Sequence, residues 1–328
     1  MKKLNVSSEK SEFNEIFEDK IVMITGGAGS FGQFVTRKIL ETKAREIRIF
    51  SRDEAKHLTI AREISDDRLR FIIGDVRDYD RLLEASKGVQ ILYHAAALKF
   101  IPECEKNPWE AVKTNLIGTE NVKRSAIKNK IKKSLLISTD KAVKPVNLYG
   151  MTKAISEKIW ISQEFECVSI FSVIRYGNVI GSTGSVIPYF KELIKQKKAL
   201  PITHIEMTRF LITQQQAIEL VFNATKNMKG GEIFVPIIPA CLITELAKTM
   251  AGDEYPLEFI GIRPGEKIHE SMVQEDEFRR TKQIGNYYVI FPYDSFNSGL
   301  TQNEFTSQNA TQLGRNEIAE LLKKSGWM

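Results

Sequence analysis

The chain has 328 residues, 42% of them hydrophobic and 27% charged, with a formal net charge of +6. These proportions describe a globular chain with a sizeable core and exclude a low-complexity or fibrous polymer, and no window approaches the roughly 18 apolar residues of a membrane span. Lysines and acids alternate along most of the chain, so the positive balance reads as a solvated surface that draws in anionic substrates, and no nucleic-acid partner is expected.

Met1 to Lys20 is mostly Lys, Glu, Ser and Asn and lacks the apolar core of a secretion signal, so a cytoplasmic location without membrane contact is expected. Residues 1–18 read as a polar extension, either loose or packed as one helix. Ile21-Val22-Met23-Ile24 is a short apolar run closed by glycines, the pattern of a buried parallel strand. Phe31, Phe34, Val35 and Ile39 then form one apolar helix face. Further strands are expected at Ile47 to Phe50, Leu69 to Ile73, Ile91 to His94, Ser134 to Ser138 and Ser169 to Arg175, with helical stretches between them. Such alternation predicts an α/β fold, a doubly wound parallel sheet of the Rossmann type with a smaller C-terminal substrate domain. The pattern loosens after Gly177. The expected division is therefore the extension over 1–18, a dinucleotide-binding domain over 19–180 that also uses about 210–240, and a substrate-binding part from 181–209 and 241–328. Cys104, Cys167 and Cys241 are odd in number and lack CxxC spacing, which predicts neither a disulfide framework nor a metal site.

Between the first strand and first helix lies Thr25-Gly26-Gly27-Ala28-Gly29-Ser30-Phe31-Gly32, with Gly26, Gly29 and Gly32 spaced as GxxGxxG. Glycines let such a turn approach a pyrophosphate, and the helix N-terminus offers it free N–H groups. Three glycines alone are a weak signal; their place after strand one makes a dinucleotide site the expectation. A site for NAD normally carries an acid at the tip of strand two. Here Ser51 and Arg52 stand there, followed by Asp53, and hydroxyl plus guanidinium suits the 2′-phosphate of NADP, with Lys56 as a helper. The alternative is an Arg52 that only faces solvent. Asp75 and Val76 are expected to flank the adenine, and Ala95, Ala96 and Ala97 to form a small-residue floor.

Leu135 to Lys141 is an apolar strand ending in Ser138, Thr139, Asp140 and Lys141, at the edge where open α/β sheets bind ligands. Tyr149 and Lys153 follow, four apart and so on one helix face. A lysine beside a phenol, with a cationic nicotinamide nearby, is expected to lower the tyrosine pKa toward neutrality so that it accepts a hydroxyl proton. Lys153 would also hold the nicotinamide ribose. Asp140 and Lys141, an adjacent acid and amine, permit elimination chemistry; an exposed charge pair, or an N-cap by Asp140, explains them as well. His94 reads as packed rather than reactive.

The run Thr139-Asp140-Lys141-Ala142, Pro145, Asn147, Tyr149-Gly150 and Thr152-Lys153 resembles the signature of the inverting UDP-N-acetylglucosamine 4,6-dehydratases of pseudaminic acid synthesis, within the extended short-chain dehydrogenase/reductase family. The likeness extends to Ser51-Arg52-Asp53-Glu54, His94 to Lys99, Arg175 to Val179, Met207 to Phe210, Gly231 to Pro236 and Gly261 to Lys267. It implies a redox-neutral cycle on UDP-N-acetylglucosamine. Tyr149 and Lys153 support hydride transfer from sugar C4 to NADP, Lys141 takes the C5 proton, and Asp140, beside Thr139, protonates the departing C6 hydroxyl. Retaining relatives carry a carboxylate in place of Lys141, so inversion at C5 is implied. By the same carry-over Glu54 and the run Val179, Ile180, Gly181, Ser182 and Thr183 lie along the cofactor. Lys99, Ser138, Thr139, Asn178, Val186, Thr203, Arg263 and Glu266 line the sugar-nucleotide site, and the enzyme is a homo-oligomer.

Three positions depart from the family pattern: Phe100 stands where His is usual, Thr183 where Arg is usual and Leu211 where Trp is usual. They bear on which sugar is bound. Rival readings are another nucleotide-sugar dehydratase, a 4-epimerase on the same scaffold, and an NADP-binding regulator without catalysis. Regulators of that kind commonly lose the Tyr/Lys pair, which this chain retains.

Overall fold

The computed structural model describes residues 13–162, 168–292 and 304–328. Its centre is a nine-stranded sheet. Six parallel strands follow the expected apolar runs to within one residue: β1 (Ile21–Thr25), β2 (Glu46–Ser51), β3 (Leu69–Ile73), β4 (Ile91–His94), β5 (Lys133–Ile137) and β6 (Ile170–Ile174). In space they run β6-β5-β4-β1-β2-β3, reversing direction beside β1, and β1 and β5 are buried almost throughout. Burial on both faces is why they read as continuous apolar runs rather than alternating ones. Helix α1 (Ser30–Leu40) buries Val35, Thr36 and Ile39 against the sheet, which confirms the apolar face read from its spacing.

Beyond β6 the next sheet strand is β10 (Ile233–Pro236), parallel to it. An antiparallel hairpin, β14 (Thr281–Ile284) and β15 (Tyr287–Ile290), completes that edge. The hairpin was expected in the substrate-binding part; it extends the large sheet instead, and β14, with three of its four residues exposed, forms the edge. A second, smaller core gathers Ile180, Phe190, Leu200, Ile202, Leu211, Leu246 and Leu322. It lies between α8 (Val186–Lys195), α10 (Ile243–Ala251) and α12 (Arg315–Lys324), with the short strands β7 (Asn178–Val179), β8 (Leu200–Ile202), β9 (Thr208–Ile212) and β11 (Ala240–Leu242).

Residues 13–17 are helical, and Phe13 and Phe17 pack edge-on against Phe222 at 5.1 and 4.8 Å. The described end of the extension is thus held by its own chain; residues 1–12 and Cys167 lie outside the described residues. Cys104 and Cys241 are buried free thiols. No described helix is long and apolar enough to cross a membrane.

Candidate active site

The carboxyl ends of the parallel strands open into a cavity of about 740 Å³, within the range of small-molecule sites. Gly26, Ala28, Gly29, Ser30 and Phe31 form one wall. Gly26 has φ +68°, and a Cβ there would lie 2.7 Å from Ala96 N, so the turn presses directly on the floor made by Ala95 to Ala97. Gly29 is the N-cap of α1, leaving the first N–H groups of that helix facing the cavity wall. Ser30 Oγ meets Thr183 Oγ1 at 2.8 Å, closing the groove from the opposite side. This cradle fits a dinucleotide.

At the tip of β2, Ser51, Arg52, Asp53 and Lys56 all line the cavity, as do Asp75 and Val76. Asp53 is occupied: its carboxylate caps α2 (Glu54–Glu63) by accepting from Lys56 N and pairs with Lys56 Nζ at 2.9 Å. Arg52 is half exposed and reaches Asp75 only at 3.5 Å, so its guanidinium is lightly held.

The helix α7 (Leu148–Ile161) carries Tyr149 and Lys153, and its N-cap Asn147 accepts from Gly150 N. A Cβ at Gly150 would strike Lys141 O at 2.2 Å, which shows how closely α7 abuts the end of β5. Thr139, Lys141, Tyr149 and Lys153 line one cavity with Ser138, Asn178, Val186, Lys99, Arg263 and Glu266. Asp140 lies behind them. It is fully buried, and its Oδ1 accepts from Thr139 Oγ1 at 2.9 Å and Lys141 Nζ at 3.0 Å. Burial pushes the Asp140 carboxyl up, against the opposing pull of Lys141, and so favours its protonated form. For Lys141, burial disfavours the charge, but Asp140 and Glu270 outweigh it and hold the ammonium above the ordinary lysine range.

In the chain without a dinucleotide, Lys153 does not bond to Tyr149. Lys153 Nζ donates to the Ile137 carbonyl at 2.8 Å, and burial lowers this lysine to about 8. The Tyr149 phenol is pushed up to about 12 by burial, and the cation that opposes the rise is Lys141. The protein's own charges therefore do not bring Tyr149 toward neutrality. Desolvation exceeds the attraction of a single amine.

Five other expected residues do not line the cavity. Gly32 is a packing glycine, since a Cβ there would lie 2.4 Å from Gly27 Cα. Glu54 is the exposed first residue of α2. Ile180 belongs to the second core, and Gly181 backs onto the Trp327 ring. Thr203 is buried just after β8. His94 is buried as expected, between Thr25 Oγ1 at 2.6 Å and Thr119 Oγ1 at 3.0 Å, and burial pushes it down to about 3.

Sequence reasoning assigned no role to Glu270, Arg209 or Tyr176, all on the cavity wall. Glu270 Oε1 stands 3.4 Å from Lys141 Nζ. It also missed Asn115, in a π-helical turn over Lys113–Ile117, which accepts from Leu98 N at 2.8 Å and donates to Thr152 Oγ1 at 2.9 Å. The π turn, a frequent mark of functional sites, ties the segment carrying Lys99 to α7. Nor did it find the clasp around Arg175, which joins Glu157 of α7 at 2.6 Å to Glu277 of α11 (Glu275–Phe278) at 2.8 Å. Glu157 in turn accepts from Ser138 Oγ at 2.5 Å, fixing the strand end beside Thr139. Among the described residues no group of three His, Cys, Asp or Glu side chains could hold a metal ion.

Residues 22–292 match the family described as polysaccharide biosynthesis protein. The chain is 45% identical over 282 residues to a UDP-N-acetylglucosamine 4,6-dehydratase (inverting) of Campylobacter jejuni, covering 84% of each. It is 42% identical over 329 residues to a UDP-glucose 4-epimerase of Rickettsia canadensis, covering 94% of this chain and 96% of that one. Among solved structures, Pen from Bacillus thuringiensis superposes with a TM-score of 0.90 at 33% identity, over 95% of this chain and 99% of that one. With its Rossmann-type sheet, its glycine turn and these relatives, the chain belongs to the polysaccharide biosynthesis protein family.

Proposed function

We propose that the protein is a nucleotide-sugar dehydratase that uses NADP and converts UDP-N-acetylglucosamine to UDP-2-acetamido-2,6-dideoxy-β-L-arabino-hex-4-ulose, with inversion at C5, for pseudaminic acid or a surface glycan. The observation that carries this reading is an acid–base pair, Asp140 and Lys141, 3.0 Å apart at the end of β5 and beside the wall that holds Tyr149 and Lys153. A 4-epimerase needs the tyrosine and lysine but has no use for a second acid and base. The dehydratase relative favours the same reading, whereas the epimerase relative keeps the rival alive.

A bound dinucleotide, held by the glycine turn and the β2 tip, would supply reversible hydride storage, so no outside reductant would be consumed. The residues manage the protons. Tyr149, facing the cavity with Lys141 as the cation that opposes its burial, takes the C4 hydroxyl proton. Lys141 takes the C5 proton. Asp140, whose carboxyl burial pushes up, passes a proton to the C6 hydroxyl by way of Thr139, whose hydroxyl is 2.9 Å away and faces the cavity. Arg263, half exposed, is suited to a diphosphate.

Incubation with UDP-N-acetylglucosamine in deuterated water, without reductant, tests this by mass spectrometry and NMR. Loss of one water with deuterium at C5 in the L-arabino product is expected. Conversion at C4 alone, with the C6 hydroxyl kept, would replace the dehydratase with the epimerase.

A further inference from the structure

Between β7 and α8 the chain forms a strap along the cavity, with Ser182, Thr183, Gly184 and Ser185 on the wall. It is folded as two successive tight turns: Ser182 N donates to Val179 O at 3.1 Å, and Ser185 N donates to Ser182 O at 3.0 Å. Each turn has a glycine in third place, Gly181 with φ +74° and Gly184 with φ +76°, the position that a turn of this kind reserves for a left-handed residue. Each glycine is also seated on an aromatic ring. A Cβ at Gly181 would fall on Nε1, Cε2 and Cζ2 of Trp327, and one at Gly184 on Cε1 and Cζ of Phe100. We propose that Trp327, which follows α12, is a positioning residue that seats this strap against the bound ligands. This rests on the reading of the cavity as a nucleotide-sugar site, whichever reaction follows.

The strap cannot hold its own place. Ser182, Thr183, Gly184 and Ser185 carry no large apolar side chain to bury, and turns bonded mainly to themselves open easily. What fixes the strap comes from outside it. Thr183 ties it to the glycine turn, with Ser30 Oγ 2.8 Å from its hydroxyl and 3.3 Å from its N, and to the segment after β4, with Lys99 Nζ donating to its carbonyl at 3.1 Å. These bonds are exposed, so water competes for them. The two rings act differently. Phe100 is half exposed and lines the cavity itself. Trp327 lines no part of it and packs instead against the second core, with its N donating to Leu322 O at 2.9 Å. Lys191 of α8 stands 5.3 Å from the centroid of the same ring. Trp327 therefore touches the chain on both sides of the strap, at Gly181 where it begins and on the helix into which it runs.

Without the ring, a hole lies under Gly181 into which the strap can settle, drawing Thr183 away from Ser30 and Lys99. Ser30 belongs to the dinucleotide cradle and Lys99 to the sugar-nucleotide wall, so both ligands lose a border. Asp140, Lys141 and Tyr149 stand on other elements and keep their places. The expected mark is weaker binding with turnover kept at saturation. A tryptophan that only stabilised the fold would lower the active fraction and leave the binding constants where they are.

Trp327→Ala in the full-length protein tests the assignment, with NADP and UDP-N-acetylglucosamine titrated separately by calorimetry. Both dissociation constants should rise about tenfold, the scale of one lost charge-assisted contact, while kcat at saturation stays within about threefold of the parent. Trp327→Phe, which keeps a ring under Gly181, should recover most of the affinity. Ile318→Ala removes a buried side chain from the same core and from α12, and should leave both constants unmoved. If Trp327→Ala does not fold, Gly181→Ala, whose Cβ would strike the ring, should weaken both ligands in its place. Amide hydrogen exchange reads the strap without any ligand: Ser182 and Ser185 should exchange about tenfold faster in Trp327→Ala but not in Ile318→Ala. Unmoved constants or unmoved exchange in the Trp327 variant, or equal changes in Ile318→Ala, overturn the proposal. If the parent protein binds neither ligand, the nucleotide-sugar reading fails separately, and the exchange still decides whether Trp327 seats the strap.

Discussion

Gly26→Ala probes the contact on which the cofactor cradle rests. Its φ of +68° already disfavours any side chain, at a cost of about 1–2 kcal/mol. The added Cβ would also lie 2.7 Å from Ala96 N, 2.8 Å from Ala96 Cα and 2.9 Å from Ala95 C, all backbone atoms that cannot swing aside. Ordinary contact begins at 3.4 Å, so the floor or the turn must retreat by several tenths of an ångström. Overpacking of this kind adds about 1–3 kcal/mol. Gly88 supplies the control: its φ is +74°, but a Cβ there meets only Ile21 Cδ1, at 3.9 Å. Urea unfolding of both variants should therefore show Gly26→Ala less stable than Gly88→Ala by about 1–3 kcal/mol. Titration with NADP should show weakened binding only in Gly26→Ala. Equal losses in the two variants, or an unaltered dinucleotide affinity in Gly26→Ala, would refute the claim that backbone contact shapes the cradle.

Arg175→Ala leaves Glu157 and Glu277 buried without their cation and should cost about 3–5 kcal/mol in denaturant unfolding; a loss below about 1 kcal/mol would mean that the clasp is replaceable. The folded-state pKa of His94 is depressed from 6.5 to about 3 by burial, so it contributes stability that is present above pH 6.5 and lost as pH falls toward 3. The acid limb of the stability curve should flatten by a few kcal/mol in His94→Gln, measured against the parent over that window. Arg52→Ala should weaken NADP roughly tenfold while sparing NAD, as expected for one charge-assisted contact to the 2′-phosphate, and equal weakening of both would remove Arg52 from cofactor selection.

The parallel strands and the glycine turn were legible because each is a local pattern: an apolar run between turn residues, or glycines at fixed offsets. Tyr149 and Lys153 were legible for the same reason. Glu270 was not, because it meets Lys141 only through folding of a distant segment, and its Lys-Ile-His-Glu string carries no periodicity that marks it. The direction of Lys153 was not legible, because spacing on a helix fixes the face but not the reach of a lysine, which here turns to the Ile137 carbonyl. Gly32, pressed against Gly27, shows the converse. A residue in a ligand-binding motif can serve packing alone.

The path of the chain between its two cores has a further consequence. It leaves the large sheet after β6, builds part of the small core, returns for β10, leaves again for β11 and α10, and comes back for β14 and β15 before ending in α12. Each return stitches one unit to the other, so neither is a contiguous fragment that could be excised. A truncation after residue 180 would strip β10 from β6 and leave Val173 and Ile174, both fully buried, along a raw sheet edge. The walls of the cavity are thus joined by several covalent crossings rather than one hinge. Its opening is best pictured as movement of loops such as the one closed by Ser30 and Thr183, and not as two lobes parting.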